Sequence, residues 1–157
     1  YYMALLPITK REMVKARFSL VLTIEAMQVL VCLPFMLLRA SYGEVKNAVG
    51  VEANVAFLGF SLVLLGLFNR IFFPMHYKNA YDLGKPFVIS SITLALGMVI
   101  LETLQHVLPY LKDVCDSYEA ADQLRQLPVL FGGLLAFVLL TVHSFSISVR
   151  RFENADL

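Results

Sequence analysis

Four long apolar runs, each separated from the next by a short polar segment, dominate the sequence. The runs cover about residues 18–38, 53–75, 86–108 and 127–149. A helix rises about 1.5 Å per residue, so about 20 apolar residues cross the roughly 30 Å hydrocarbon core of a bilayer. The runs are apolar around nearly the whole helix, which is not typical of helices in a soluble bundle. The pattern predicts an all-α integral membrane protein, a bundle of four transmembrane helices.

The composition agrees with a protein that folds in lipid. Apolar residues make up 59% of the chain and charged residues 16%, whereas soluble domains average roughly 25% charged residues. The net charge of +1 gives no strong field that would favour nucleic acid as a partner. Cys32 and Cys115 show no ligand spacing, and a disulfide framework is not expected.

The basic residues are distributed unevenly between the two sides of the predicted bundle. Nine of the 13 lie before span one, near the connection of spans two and three, or after span four: Lys10, Arg11, Lys15, Arg17, Arg70, Lys78, Lys85, Arg150 and Arg151. The positive-inside rule therefore predicts that both termini are cytoplasmic. We divide the chain, as one transmembrane domain over residues 1–157, into a cytoplasmic entry segment (1–17), the membrane bundle (18–149) and a cytoplasmic tail (150–157).

A polar stripe runs along span one. Glu25, Gln28 and Cys32 follow one another at i, i+3 and i+7, which places them on one side of a helix. Because a carboxylate is costly against lipid, we expect Glu25 to face other helices or a water-filled path. Its role is either transport or coupling, or an interhelical hydrogen bond that positions the bundle.

Small residues recur at helical spacing in the last three spans. They are Gly59, Gly66, Ser90, Thr93, Gly97, Gly132, Ala136, Thr141, Ser144 and Ser148. Small side chains let membrane helices approach closely, and their hydroxyls can bond across the contact. Seams of helix packing are favoured over a substrate groove.

No catalytic, cofactor or metal motif is present in the sequence. Glu102 and His106 stand at i and i+4, but two ligands do not make a metal site. No phosphate-binding Gly-x-x-x-x-Gly-Lys-Ser/Thr run occurs, and no Ser is flanked by a nucleophile motif. We expect a non-catalytic chain without cofactor or metal, so that any energy would come from a partner chain.

The entry segment carries the most specific local signal. Thr9 and Glu12 match a capping box, and Ile8 and Met13 are placed as its hydrophobic staple. A helix is therefore predicted to begin at Thr9 and to continue through a basic turn into span one.

Three segments resemble one transporter family. Residues 5–14, Leu-Leu-Pro-Ile-Thr-Lys-Arg-Glu-Met-Val, resemble the Leu-Pro-hydrophobic-Ser/Thr-Arg/Lys-x-Glu-hydrophobic-Val segment of ABC-2 type permeases, especially the small bacterial subunits. Residues 74–85 are similar to the cytoplasmic loop of that family, and residues 146–157 to its Ser-rich exit and charged Asp-Leu tail. The resemblance implies the permease subunit of an ATP-binding-cassette exporter in the bacterial cytoplasmic (inner or plasma) membrane.

The resemblance also implies partners. Such permeases are similar in having six spans per subunit, in pairing as homo- or heterodimers, and in binding separate ATPase subunits through a short coupling helix. The four spans here would be the family's third to sixth, and Tyr1–Pro7 would end the coupling helix.

This placement implies a set of ATPase-coupling residues, namely Pro7, Thr9, Lys10, Arg11 and Glu12. The alternative for this segment is a positive-inside anchor at the lipid headgroups. The alternative for the whole chain is a non-transporting membrane scaffold or regulatory subunit.

Overall fold

The computed structural model describes residues 9–41, 52–78, 82–115 and 120–154. Over these ranges the chain forms six helices: α1 (Lys10–Ser41), α2 (Val55–His76), α3 (Gly84–Val107), α4 (Pro109–Cys115), α5 (Ala120–Arg125) and α6 (Leu127–Glu153). Four of them, α1, α2, α3 and α6, are long and apolar enough to cross a membrane. The predicted all-α bundle of four transmembrane helices is confirmed.

The four long helices follow the predicted spans, with extensions at their charged ends. Helix α1 begins at Lys10, as the capping box at Thr9 predicted, and so extends beyond the apolar run that starts at residue 18. Helix α6 continues to Glu153, past the end of its apolar run at residue 149. Lys and Arg side chains in these extra turns can lay their stems along apolar surface while their charges reach the headgroups or water. The hydrogen-bonded helix is therefore longer than the apolar run that predicted it.

Helix α2 lies in the middle of the bundle, between α6 and α3, while α1 packs mainly against α6. The pair of α2 and α6 meets through glycine. A Cβ added at Gly59 would lie 2.6 Å from the carbonyl oxygen of Val129, and one added at Gly133 would lie 2.8 Å from the Cα of Gly59. Because any side chain would collide with backbone at these positions, the two helices can approach this closely only with glycine.

The glycine seam corrects one detail of the sequence prediction. Gly132 was expected at the packing seam, yet a Cβ there would meet no described atom within 4 Å. The contact is made by Gly133, which lies about 100° further around the helix. Two adjacent glycines cannot be told apart by spacing alone when the rotation of the helix is unknown.

The start of α1 and the ends of α2 and α6 lie together at what we call the basic end of the bundle. Lys10 Nζ donates a hydrogen bond to the carbonyl oxygen of Glu153 at 3.3 Å. Arg17 Nη1 lies 3.0 Å from His76 Nε2. The described ends of the chain are therefore on the same side of the bundle.

The opposite end, which we call the far end, is joined by polar contacts. Asn54 caps α2, accepting a hydrogen bond from the backbone N–H of Phe57 at 3.1 Å, and its Nδ2 donates to the carbonyl oxygen of Cys115. Gln126 Oε1 accepts from the backbone N–H of Ala56 at 3.0 Å. These side chains fasten α4 and the start of α6 to the first turn of α2.

Candidate functional site

The capping box at the start of α1 is confirmed. The backbone N–H of Thr9 donates to Glu12 Oε2 at 2.8 Å, and the backbone N–H of Glu12 donates to Thr9 Oγ1 at 3.2 Å. Two otherwise unpaired donors of the first turn are satisfied, which fixes where the helix begins. Pro7 and Ile8, which the sequence prediction also named, lie outside the described residues.

A buried hydrophobic cluster lies directly behind this first turn. It joins three helices at the basic end and consists of Val14, Phe18, Phe73, Tyr77, Val149 and Phe152. The ring of Phe18 stacks on Phe73 with centroids 3.9 Å apart and meets Phe145 edge-on at 5.3 Å. Because rings from all three helices interlock, the start of α1 is packed as one unit with the ends of α2 and α6.

Cations close the cluster on its outer side. Arginine has donors and no acceptor, so Arg17 donates and His76 accepts through Nε2. Arg151 Nη1 donates to the carbonyl oxygen of Pro74. Lys10 lies 5.9 Å from the centroid of the Phe152 ring. These contacts link all three helix ends to one another.

Arg11 and Lys15 form an exposed basic surface on the first two turns of α1, beside the exposed Glu12. Both cations also lie at the edge of a groove between α1 and α6. Among the coupling residues predicted from sequence, the structure therefore separates Lys10, which donates a hydrogen bond to α6, from Arg11, which is exposed.

Glu25 lies in a buried polar contact between helices. It is 6% exposed, and its Oε2 accepts a hydrogen bond from Asn69 Nδ2 at 3.1 Å. Ser144 Oγ in turn donates to the backbone oxygen of Asn69 at 2.6 Å. The carboxyl of α1 thus faces α2, and α2 is held to α6 at the same residue.

Asn69 was not among the residues predicted from the sequence. The available signal was a carboxamide inside an otherwise apolar run, because polar groups at membrane depth are costly unless they are paired.

The other two members of the predicted stripe lie elsewhere. Gln28 and Cys32 line a groove of about 740 Å³ between α1, α2 and α3, and Glu25 is not part of its lining. Most of the wall is apolar, with residues such as Leu64 and Met98. The stripe therefore divides into a buried contact at Glu25 and a groove surface further along α1.

Glu102 and His106 do not form a paired site. His106 Nδ1 lies 2.8 Å from the backbone oxygen of Glu102, one turn earlier in the same helix. Over the described ranges, no group of three or more His, Cys, Asp or Glu side chains is arranged to hold a metal ion.

Apolar helices of membrane-spanning length, packed through a glycine seam and a buried carboxyl–carboxamide contact, define a multi-pass membrane protein. The chain belongs to the ABC-2 family of transporter proteins, because the family model described as ABC-2 family transporter protein matches residues 1–153. The resemblance drawn from the sequence is confirmed. No curated protein and no solved structure matches the chain.

Proposed function

We propose that the chain is a permease subunit of an ABC-2 exporter, pairs with a second permease subunit in the bacterial cytoplasmic membrane, and is driven by separate ATPase subunits. The observation that carries the proposal is the packing at the basic end. A capped helix start with an exposed basic surface is joined through buried rings to the ends of α2 and α6. In this proposal the ATPase subunits hydrolyse ATP, and the helices of this chain move in response.

The packing explains how a push at the surface would reach the membrane interior. A force on the first turns of α1 would act on Phe18, whose ring touches α2 through Phe73 and α6 through Phe145. Packed interfaces transmit displacement as rigid units because they cannot deform continuously. The three helices would therefore respond together rather than α1 bending alone.

Arg11 and Lys15 are the residues we assign to the ATPase interface. Both are exposed, whereas Lys10 and Arg17 contact other parts of the bundle. Rim charges of this kind steer and orient a partner of opposite charge. An anchor at the lipid headgroups would use the same cations. An experiment is therefore needed to distinguish ATPase binding from anchoring.

The experiment is co-purification from membranes that contain the full-length protein and its ATPase. The double substitution Arg11→Glu and Lys15→Glu should remove at least nine-tenths of the bound ATPase while membrane abundance stays normal. The control is Arg125→Glu, which reverses an exposed cation at the far end. Equal ATPase recovery in the double variant and the wild type would refute the assignment, as would equal loss in the control.

The second candidate function, a non-transporting scaffold, is favoured by the scarcity of charged side chains within the described spans. Glu25→Gln separates the two functions. A permease should lose transport with normal membrane abundance. A scaffold should keep its function or show altered complex assembly.

A further inference from the structure

The contact between Glu25 and Asn69 leaves one strong acceptor without a partner. Asn69 is completely buried, its Nδ2 donates to Glu25 Oε2, and its backbone oxygen is taken by Ser144. The remaining side-chain atom, Asn69 Oδ1, is buried and has no hydrogen-bond partner among the residues that the structure describes. Native structures rarely leave a buried acceptor unpaired, because the hydrogen bonds that it loses to water are not replaced.

A proton on Glu25 completes this contact. An ionised carboxylate only accepts hydrogen bonds, whereas a carboxylic acid offers one O–H donor beside one C=O acceptor. A carboxamide presents the complementary pair, an N–H donor beside a C=O acceptor. We propose that Glu25 is a proton-binding site in the membrane interior, in which the acid O–H donates to Asn69 Oδ1 while Asn69 Nδ2 donates to the acid carbonyl.

The charges around the site support the neutral acid. Over the described ranges the ion pairs are Arg39–Glu52 and Arg125–Asp122, both at the far end, and neither involves Glu25. An ionised carboxylate at membrane depth is unfavourable when no cation pairs with it.

Among the described residues, the titratable groups on the neighbouring helices form no ion pair with Glu25. On α1, Arg17 lies two turns towards the basic end and contacts His76. On α2 the nearest charged residue along the helix is Arg70, which is half-buried, and on α6 it is His143, which is exposed.

A groove leads from the basic end towards the site. It has a volume of about 510 Å³ and lies between α1 and α6. Its lining runs from Arg11 and Lys15, in the charged first turns of α1, to Leu22 and to the hydroxyl-bearing Thr141 on α6. Leu22 and Thr141 lie one helical turn from Glu25 and Ser144 respectively. Water entering this groove would come within a turn of the carboxyl and could deliver or remove the proton.

The proton site stands on geometry alone, but its use in transport rests on the proposed function. Opening of the groove as far as Glu25, with the three helices still packed together at the basic end, would expose the acid to water. The proton would then leave to water and the carboxylate would remain. Closing of the groove would require the proton again, so each opening and closing would release and bind one proton.

Infrared difference spectra between the wild type and each variant test the site directly. They are recorded on the full-length protein in phosphatidylcholine vesicles. At neutral pH the wild type should show the carbonyl stretching band of one protonated carboxyl, and Glu25→Gln should lack it. Asn69→Leu should keep the band but shift it to the frequency of an acid without a hydrogen bond. The control is Glu153→Gln, which changes an exposed carboxyl and should leave the band intact.

Thermal unfolding provides a second readout that does not depend on the spectrum. Glu25→Gln keeps a donor and an acceptor towards Asn69, so this variant should fold. It has no carboxyl at position 25, so its unfolding midpoint should not change over the pH range in which the wild type loses the proton. The wild-type midpoint should fall as the pH rises and the proton is lost. Identical infrared spectra of the wild type and Glu25→Gln would overturn the proposal. Stabilisation of the wild type but not of Glu25→Gln by sodium would also overturn it, because a metal cation rather than a proton would then occupy the site.

Discussion

Asn69 connects three helices through one side chain and one carbonyl group. Its carboxamide reaches Glu25 on α1, and its backbone oxygen accepts from Ser144 on α6. The residue is fully buried, so water cannot replace either bond. Asn69 therefore acts by holding the three helices together. Substitutions at its partners should show how much each hydrogen bond contributes to the stability of the bundle.

Ser144→Ala should lower the stability of the bundle by about 0.6 kcal/mol, the average for interhelical hydrogen bonds in membranes, and by no more than about 1.7 kcal/mol. The matched control is Ser146→Ala, because the Ser146 hydroxyl is exposed and bonds within its own helix to the carbonyl of Val142. The measurement is the free energy of unfolding in mixed micelles. Equal destabilisation by both variants would show that the bond to Asn69 adds nothing.

Cys115 should react slowly with maleimide, and faster as the pH rises. The residue ends α4 outside the spans, and burial raises the pKa of its thiol. The thiolate is the reactive form, so a raised pKa moves the rate profile to higher pH than that of free cysteine. The test uses Cys32→Ser protein, with denatured protein as the control. A native rate equal to the denatured rate at each pH would contradict the buried position.

At the scale of helices, the pair of α2 and α6 depends on the absence of side chains. Gly59 and Gly133 bring backbone against backbone. A Cβ added at Gly66 would lie only 3.0 Å from the Cα of Phe137. Close approach of this kind maximises van der Waals contact, which drives helix association where lipid is as apolar as the side chains.

Gly133→Val should separate α2 from α6 and strongly lower the yield of folded protein, because the added Cβ would collide with the backbone of Gly59. Gly132→Val is the control, since its Cβ would enter open space one residue earlier in the same helix. Folded yield and thermal midpoint after detergent extraction are the readouts. Similar losses for both variants would mean that β-branching, not the seam, causes the effect.

The sequence predicted the long helices because their signal is local, whereas contacts between helices depend on rotations that no single run contains. Apolar length located α2 and α3 to within two residues at each end. The short helices α4 and α5 were not predicted, since polar connections carry no membrane-length signal. Glu25 could be named from its cost in lipid, but its partner Asn69 could not, because the pairing depends on how α1 and α2 are rotated and aligned.

At the scale of the whole molecule, the two ends of the bundle differ in how they are held together. The basic end is held together by aromatic rings and by the hydrogen bonds of Lys10, Arg17 and Arg151. The far end is held by capping amides and by the ion pair of Arg39 with Glu52 at 3.5 Å. The proposed cytoplasmic position of the basic end agrees with its excess of Lys and Arg.

Cysteine accessibility tests this orientation in cells that express the protein without its two native cysteines. Single cysteines introduced at Arg11 and Asn154 should resist a membrane-impermeant thiol reagent, and one at Arg125 should react. Permeabilised cells serve as the control in which all three react. Labelling of the cysteine at position 11 in intact cells would contradict the proposed orientation and indicate the opposite one.

The most direct test of the central claim is photo-crosslinking from the basic surface of α1. A photoreactive amino acid placed at Arg11 of the full-length protein, in membranes that contain the whole transporter, should form a covalent adduct with an ATPase subunit. The same probe at Arg125 should form none. Adducts from Arg125 but not from Arg11, or an Arg11 probe that labels only lipid while the ATPase remains bound, would contradict coupling through the start of α1.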